Sequence, residues 1–345
     1  MSYVPSLDLE DHHSESESLV RINEEGVNLF NRGEYEKAAK KFTDAIKSGL
    51  QTPSIYLNRG MAYYFAGKYG EAIPDLSRGI VQGKSDPKIL LYRGISYFKS
   101  GKYQLALDDL TDCLASLKYF YEPLYWRSLI YFEMGEYDFA IWEVKRYIQH
   151  EPENARAYVL LGNALYRSGE LIKALDSYNT AEKHDRSLEE VYLNRAVLYE
   201  QMKDYSSALK DLERAMELKP KDYKPLLIMG NIYHETGDNN RAISYYSNAI
   251  NMNRSSWELF NNRGIAYLAL GETWKAIRDF DMAINIDADQ VLPIVQRAKA
   301  FLLAGMKERA MEDLLMAQKI DPSYSKNIQF PFDFESPEIV DTKKQ

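Results

Sequence analysis

The chain has 345 residues, of which 45% are hydrophobic and 27% charged, with a formal net charge of −8. That composition suits a folded protein with its own core, and no apolar run is long enough to span a membrane. A single cysteine, Cys113, excludes a disulfide framework and a cysteine-rich zinc site, and the acidic balance argues against nucleic acid, whose phosphates call for a basic surface.

The first predicted element is an acidic, serine-rich segment, residues 1–18, carrying Asp8, Glu10, Asp11, Glu15 and Glu17 without a Lys or Arg. Such a run cannot bury enough apolar surface to fold alone. Arg21 is the first basic residue and no apolar core precedes it, so neither a secretory signal nor a transit peptide is expected. Together with the lone cysteine this predicts a cytoplasmic protein.

From Leu19 to Tyr324 the chain keeps a period of 34 residues. Glycines mark it at Gly33, Gly67, Gly101, Gly135, Gly169, Gly237, Gly271 and Gly305, with Lys203 in the one missing slot. An alanine follows five places later in every repeat, from Ala38 through Ala174 to Ala310. Nine repeats therefore begin at residues 19, 53, 87, 121, 155, 189, 223, 257 and 291. Within one of them Phe260, Gly264, Tyr267, Ala276, Phe280 and Ala283 recur at helical spacings. Two helices are predicted to meet at the glycine slot, where positive φ makes a tight turn. Small residues at repeat positions 8, 20 and 27 allow close approach, and large ones at 4, 11 and 24 fill the remaining space. Lys203 predicts mild strain in its turn, on the order of 1 kcal/mol. Prolines fall near repeat boundaries, and Pro74 is placed in the first turn of its helix.

This pattern resembles the tetratricopeptide repeat family over residues 19–324. The resemblance implies an all-α fold, a right-handed superhelical solenoid of antiparallel helix pairs, whose concave wall is built by the first helix of each pair. It implies work as a non-enzymatic scaffold or adaptor that binds another protein.

Arginines occupy position 7 of six repeats: Arg59, Arg93, Arg127, Arg195, Arg263 and Arg297. An anion-binding ladder is one reading. However, position 23 is acidic in the same six repeats (Asp75, Asp109, Glu143, Asp211, Asp279 and Asp313). Repeat one reverses the signs with Glu25 and Lys41, and repeats five and seven hold Leu161 with Ser177 and Met229 with Tyr245. Opposite charges occur together or not at all, which predicts a partly buried ion pair joining the two helices of a repeat.

Along the predicted wall, position 12 reads Phe30, Tyr64, Phe98, Phe132 and Tyr166, then Glu200 and His234, then Leu268 and Leu302. The five aromatics predict a stripe able to anchor a partner, although aromatics there can also pack on their neighbours. Leu57, Met61, Phe65, Leu91, Tyr92, Ile95, Tyr125, Trp126 and Leu129 extend the wall. Farther on, Asn163, Asn194, Asn231 and Asn262, with Asn58 near the start, offer amides to an extended backbone. The family's clamp for acidic chaperone tails needs Lys, Asn, Asn, Lys and Arg at set positions. The first window supplies Asn23, Val27, Asn58, Lys88 and Tyr92, and the later one Val159, Asn163, Asn194, Lys224 and Ile228. A chaperone-tail binder is therefore disfavoured, while a weaker clamp at Asn163, Asn194 and Lys224 stays open.

The last element, residues 325–345, carries Phe330, Phe332 and Phe334 beside Pro331. These phenylalanines are expected to cover the last helix pair, enter a groove or support self-association; a tail with no fixed fold is the alternative. No catalytic constellation or phosphate-binding glycine loop is found, and the five histidines lack metal-ligand spacing, so no cofactor is expected. Cys113 falls at small position 27 and reads as core. A structural subunit of a larger assembly, engaged through the convex face or the termini, is the alternative to a groove-binding adaptor.

Overall fold

The computed structural model describes residues 17–80 and 86–323. The acidic residues 1–16 and the tail with Phe330, Phe332 and Phe334 lie outside the described residues. Among those described, every regular element is helical, and the chain divides into two compact units, Met1–Arg186 and Ser187–Gln345.

The N-terminal unit holds five helix pairs. They are α1 (Glu17–Asn31) with α2 (Tyr35–Lys47), α3 (Pro53–Phe65) with α4 (Tyr69–Ile80), and α5 (Lys88–Lys99) with α6 (Tyr103–Ser116). Then come α7 (Glu122–Glu133) with α8 (Tyr137–His150), and α9 (Ala155–Arg167) with α10 (Leu171–His184). The C-terminal unit holds α11 (Glu189–Gln201) with α12 (Tyr205–Leu218), α13 (Lys224–Glu235) with α14 (Asn239–Met252), α15 (Trp257–Ala269) with α16 (Thr273–Ile286), and α17 (Val291–Leu303) with α18 (Lys307–Ile320). Inside each unit every helix packs on its neighbour in the chain, and each first helix also touches the first helix of the next repeat. Helix α1 starts two residues before the predicted repeat boundary, at Glu17. None of the described helices is long and apolar enough to cross a membrane.

Local chemistry explains the element ends. Asn154, Asp204 and Asp238 accept the first free N–H groups of α9, α12 and α14, which would otherwise lack partners. The turn inside repeat one closes with Gly33 N donating to Phe30 O and Glu34 N to Leu29 O, both at 2.9 Å, around Gly33 at φ 78°. Lys203 makes the same closure, its N donating to Glu200 O and Asp204 N to Tyr199 O, each at 2.9 Å, with φ 60°. The predicted strain at Lys203 is therefore present in the backbone.

Positions 8 and 24 set the distance between paired helices. Where position 24 is aromatic, position 8 is glycine: Gly26 faces Phe42, Gly162 faces Tyr178, Gly230 faces Tyr246 and Gly264 faces Phe280. A Cβ on any of these glycines would come within 2.4–2.6 Å of the ring. Leucine at position 24 leaves room for alanine in two repeats, Ala196 with Leu212 and Ala298 with Leu314, while Gly60 and Gly94 remain glycine against Leu76 and Leu110. The position-20 alanines are all buried, and so is Cys113, whose thiol burial pushes up to about 12. Pro74 departs from expectation, lying sixth in α4 and not in its first turn. It is tolerated because Pro74 and Gly70, the residue one turn earlier, are both exposed, so water can serve the carbonyl left without a donor.

Candidate functional site

The position-7 arginines join helices within the repeats. Arg59, Arg93, Arg195, Arg263 and Arg297 each lay Nε and Nη2 against both carboxylate oxygens of the partner aspartate at 2.6–2.9 Å. Glu25 and Lys41 meet at 2.6 Å in repeat one with the signs reversed. The guanidinium has a further task that the charge pattern alone does not reveal. Its Nη1 donates to position 25 of the preceding repeat, to Thr43 from Arg59, Ser77 from Arg93, Ser247 from Arg263 and Asp281 from Arg297. Each of these arginines thus ties its own repeat to the one before. Repeat four differs because its acid is the longer glutamate. Glu143 Oε1 lies 2.6 Å from Arg127 Nη2 without hydrogen-bond alignment, and Arg127 Nε has no acceptor. Burial holds the Glu143 carboxyl above its usual range, against the pull of Arg127 and Arg146.

The two repeats without this pair carry another strut. Tyr178 Oη donates to Asn163 Oδ1 at 2.7 Å, and Tyr246 Oη to Asn231 Oδ1 at 2.9 Å. Position-9 asparagine and position-24 tyrosine thus replace the charges at 7 and 23. In this part of the wall, the amide oxygens expected to meet a ligand are spent inside the repeat.

On the first-helix face of the N-terminal unit, three expected contact residues prove to be packing residues. Phe30 is 1% exposed, held edge-on by Tyr35 and Phe65 at 5.2 and 5.5 Å. Asn58 is 2% exposed and donates to Asn23 at 3.4 Å. Tyr92 is 7% exposed, its ring 5.0 Å from that of Tyr64. Met61, Leu91 and Ile95 are buried likewise. Tyr64, Phe65, Phe98, Tyr125, Trp126, Phe132 and Tyr166 keep partial exposure. Phe98 and Trp126 lie edge to face at 6.2 Å, and the Lys99 ammonium sits over both rings at 5.1 and 5.8 Å. Burial, then the neighbouring Tyr69 and Tyr92, raises the Tyr64 hydroxyl well above the usual phenol range.

On the C-terminal unit the first helices open a polar pocket of about 200 Å³, lined by Glu200, Asn231, His234, Glu235, Tyr246, Asn262 and Ile265. Most of these are positions 6, 9, 12 and 13 of repeats six to eight, the face predicted to meet a partner. Asn262 Nδ2 donates to Asn231 Oδ1 at 3.1 Å, and Asn261 in turn to Asn262 at 3.1 Å. His234 Nδ1 shares a 2.6 Å hydrogen bond with Asn239. Burial, and after it the Glu235 carboxylate, pushes Glu200 up to about 7. Asn194 is half-buried, and Lys224 is exposed at the start of α13. The sequence signal for this pocket was the break in the aromatic run at position 12, where Glu200 and His234 stand. Among the described residues no group of three or more His, Cys, Asp or Glu is placed to hold a metal ion.

Residues 23–88, 57–115 and 189–222 match family models described as tetratricopeptide repeat, and residues 162–203 and 230–271 a model described as TPR repeat. A stretch of 95 residues is 28% identical to the Homo sapiens protein O-mannosyl-transferase TMTC3, covering 27% of this chain and 10% of that protein. A stretch of 98 residues is 32% identical to the heat shock protein sti1 homolog of Schizosaccharomyces pombe, covering 28% of this chain and 17% of that one. Each match thus spans less than a fifth of the relative's own length. Among solved structures, the APC/C hetero-tetramer Cut9–Hcn1 aligns at 16% identity with a TM-score of 0.57, covering 91% of this chain and 62% of that one. The C-terminal part of a TPR repeat-containing protein from Cytophaga hutchinsonii aligns at 20% identity with a TM-score of 0.53, covering 70% of this chain and 98% of that one. At these identities the two structures show the fold alone. Built of antiparallel helix pairs in tandem, and matched by repeat models over more than half of its length, the chain belongs to the tetratricopeptide repeat family.

Proposed function

We propose that the chain is a non-enzymatic adaptor that holds extended segments of partner proteins against its first-helix faces, in the cytoplasm. The observation that carries this reading is the row Tyr64, Phe98, Phe132 and Tyr166 on four consecutive first helices, each ring partly open to water. Rings half-covered by their own repeat lose little freedom when a partner covers the rest, which makes them suitable anchors. A random peptide library displayed against the full chain tests the reading. Wild type should retain peptides that Phe98→Ala/Phe132→Ala/Tyr166→Ala loses at least ~10-fold, the scale of one to two anchor residues. Equal retention by the variant, with its helicity unchanged by circular dichroism, would sink the aromatic row as the site.

A second reading rests on the opposite helices. Leu105 on α6, Phe139 and Trp142 on α8 and Ile172 on α10 are 47–64% exposed, an apolar set on consecutive second helices. It favours a subunit docked into a larger assembly through that face. Phe139→Glu/Trp142→Glu would then change the size of the native complex and leave peptide retention intact.

A further inference from the structure

In most repeats of this protein, a carboxylate drawn out of water meets a cation. Six position-23 acids are each faced by a position-7 guanidinium, and the buried Glu189 is met by Lys219 at 2.8 Å. The pocket on α11, α13 and α15 breaks this habit. Glu200 is half-buried and forms no ion pair among the described residues. Glu235, exposed at the end of α13, accepts the Tyr205 O–H at 3.1 Å and forms no ion pair among the described residues. The other polar groups leave that charge unbalanced, since Asn231 Oδ1 is occupied by Tyr246 and Asn262, and His234 Nδ1 by Asn239.

The volume of about 200 Å³ lies below the roughly 300–1,000 Å³ of small-molecule sites and fits one side chain. An anion is excluded by two unanswered carboxylates. A metal ion lacks its donors, because no group of three ligating side chains is assembled among the described residues. Ile265 gives one wall an aliphatic surface, which suits a long apolar stem with a charged tip. The pocket opens on the first-helix face, so a segment lying along that face would pass its mouth.

We infer that this pocket receives the side chain of a lysine or arginine from a bound partner segment, its stem on Ile265 and its cationic tip between Glu200 and Glu235. The inference rests on the reading of the first-helix faces as peptide-binding surfaces. The state of Glu200 agrees with it. Burial and the Glu235 carboxylate hold Glu200 up to about 7, and an incoming cation offsets both effects.

The test uses the same displayed peptide library on the full chain, wild type against Glu200→Gln/Glu235→Gln. Selection on wild type should yield peptides aligned on a shared Lys or Arg. One such synthetic peptide should bind the double variant at least ~10-fold more weakly, the smaller end of the effect for a close charge pair. Replacing that basic residue by norleucine should weaken binding to wild type by a similar factor and abolish the difference between the two proteins. The norleucine arm needs no protein variant, so misfolding cannot imitate it. Selected peptides without a shared basic residue, or bound equally by both proteins, overturn the pocket assignment and leave the peptide-binding reading standing. If wild type retains no peptide, both fall.

Discussion

Two carboxylates on neighbouring helices of the C-terminal unit affect stability with opposite signs. Asp211 is clasped by Arg195 Nε and Nη2 at 2.7 and 2.9 Å, both side chains withdrawn from water. Asp211→Ala leaves a buried guanidinium without its counter-ion, and breaking such a pair costs about 3–5 kcal/mol. A large fall in melting temperature is expected, and a variant that melts like wild type would refute the pairing as a structural device. Glu200 behaves in the opposite way. It is faced by Glu235 and His234 from α13, Tyr205 from α12 and Tyr246 from α14, and it is held up to about 7 from the ordinary 4.5. Between those pH values the folded state binds a proton that the unfolded chain has released, so stability falls as pH rises through that window. Glu200→Gln removes the penalty. The variant should match wild type near pH 4.5 and exceed it at pH 8 by on the order of 2–3 kcal/mol, read from paired denaturant titrations. A gap independent of pH would mean that Glu200 is solvated like a surface acid.

At the scale of the element, the sequence shows clearly what each turn and each helix crossing demands. The turn between paired helices needs a left-handed residue, so the glycine slot repeats visibly, and Lys203 shows the same hydrogen bonds made at greater cost. The crossing needs room for one ring, so glycine stands at position 8 wherever position 24 is aromatic. The face of a helix is harder to read, because its exposure is decided by the next repeat. Position 12 is sealed at Phe30 because repeat two places Phe65 at position 13, beside Tyr35. At Phe98 and Phe132 position 13 of the following repeat is Glu133 or Arg167, and the rings stay partly open. Position 6 is sealed at Tyr92 because it meets the Tyr64 ring of the preceding repeat. Asparagine carried the same ambiguity. An amide on the wall can greet a ligand or brace a tyrosine, and only Tyr178 and Tyr246 at position 24 tell that Asn163 and Asn231 do the second. The ion pairs were legible from charges that change sign together; the links from Arg59, Arg93, Arg263 and Arg297 to the preceding repeat were written in Thr43, Ser77, Ser247 and Asp281 at position 25.

At the scale of the whole molecule, tandem repeats that touch only their neighbours make stability nearly a sum of repeat and interface terms. Each unit contains the parts this sum needs. The N-terminal unit holds core clusters around Phe42 and Leu76 and around Leu110 and Ile130, and the C-terminal unit has its own around Leu212 and Ile232, Tyr246 and Leu259, and Phe280 and Phe301. Four position-7 arginines link a repeat to its predecessor without leaving their own unit: Arg59 and Arg93 in the first, Arg263 and Arg297 in the second. Residues 1–186 and 187–345, expressed separately, are therefore expected to fold. Each should show the helical circular dichroism of the parent per residue and a sigmoidal melt, at a lower temperature because a shorter array sums fewer repeat and interface terms. If either piece is unfolded at room temperature, its repeats depend on more than their nearest neighbours, and the molecule folds as a single cooperative array.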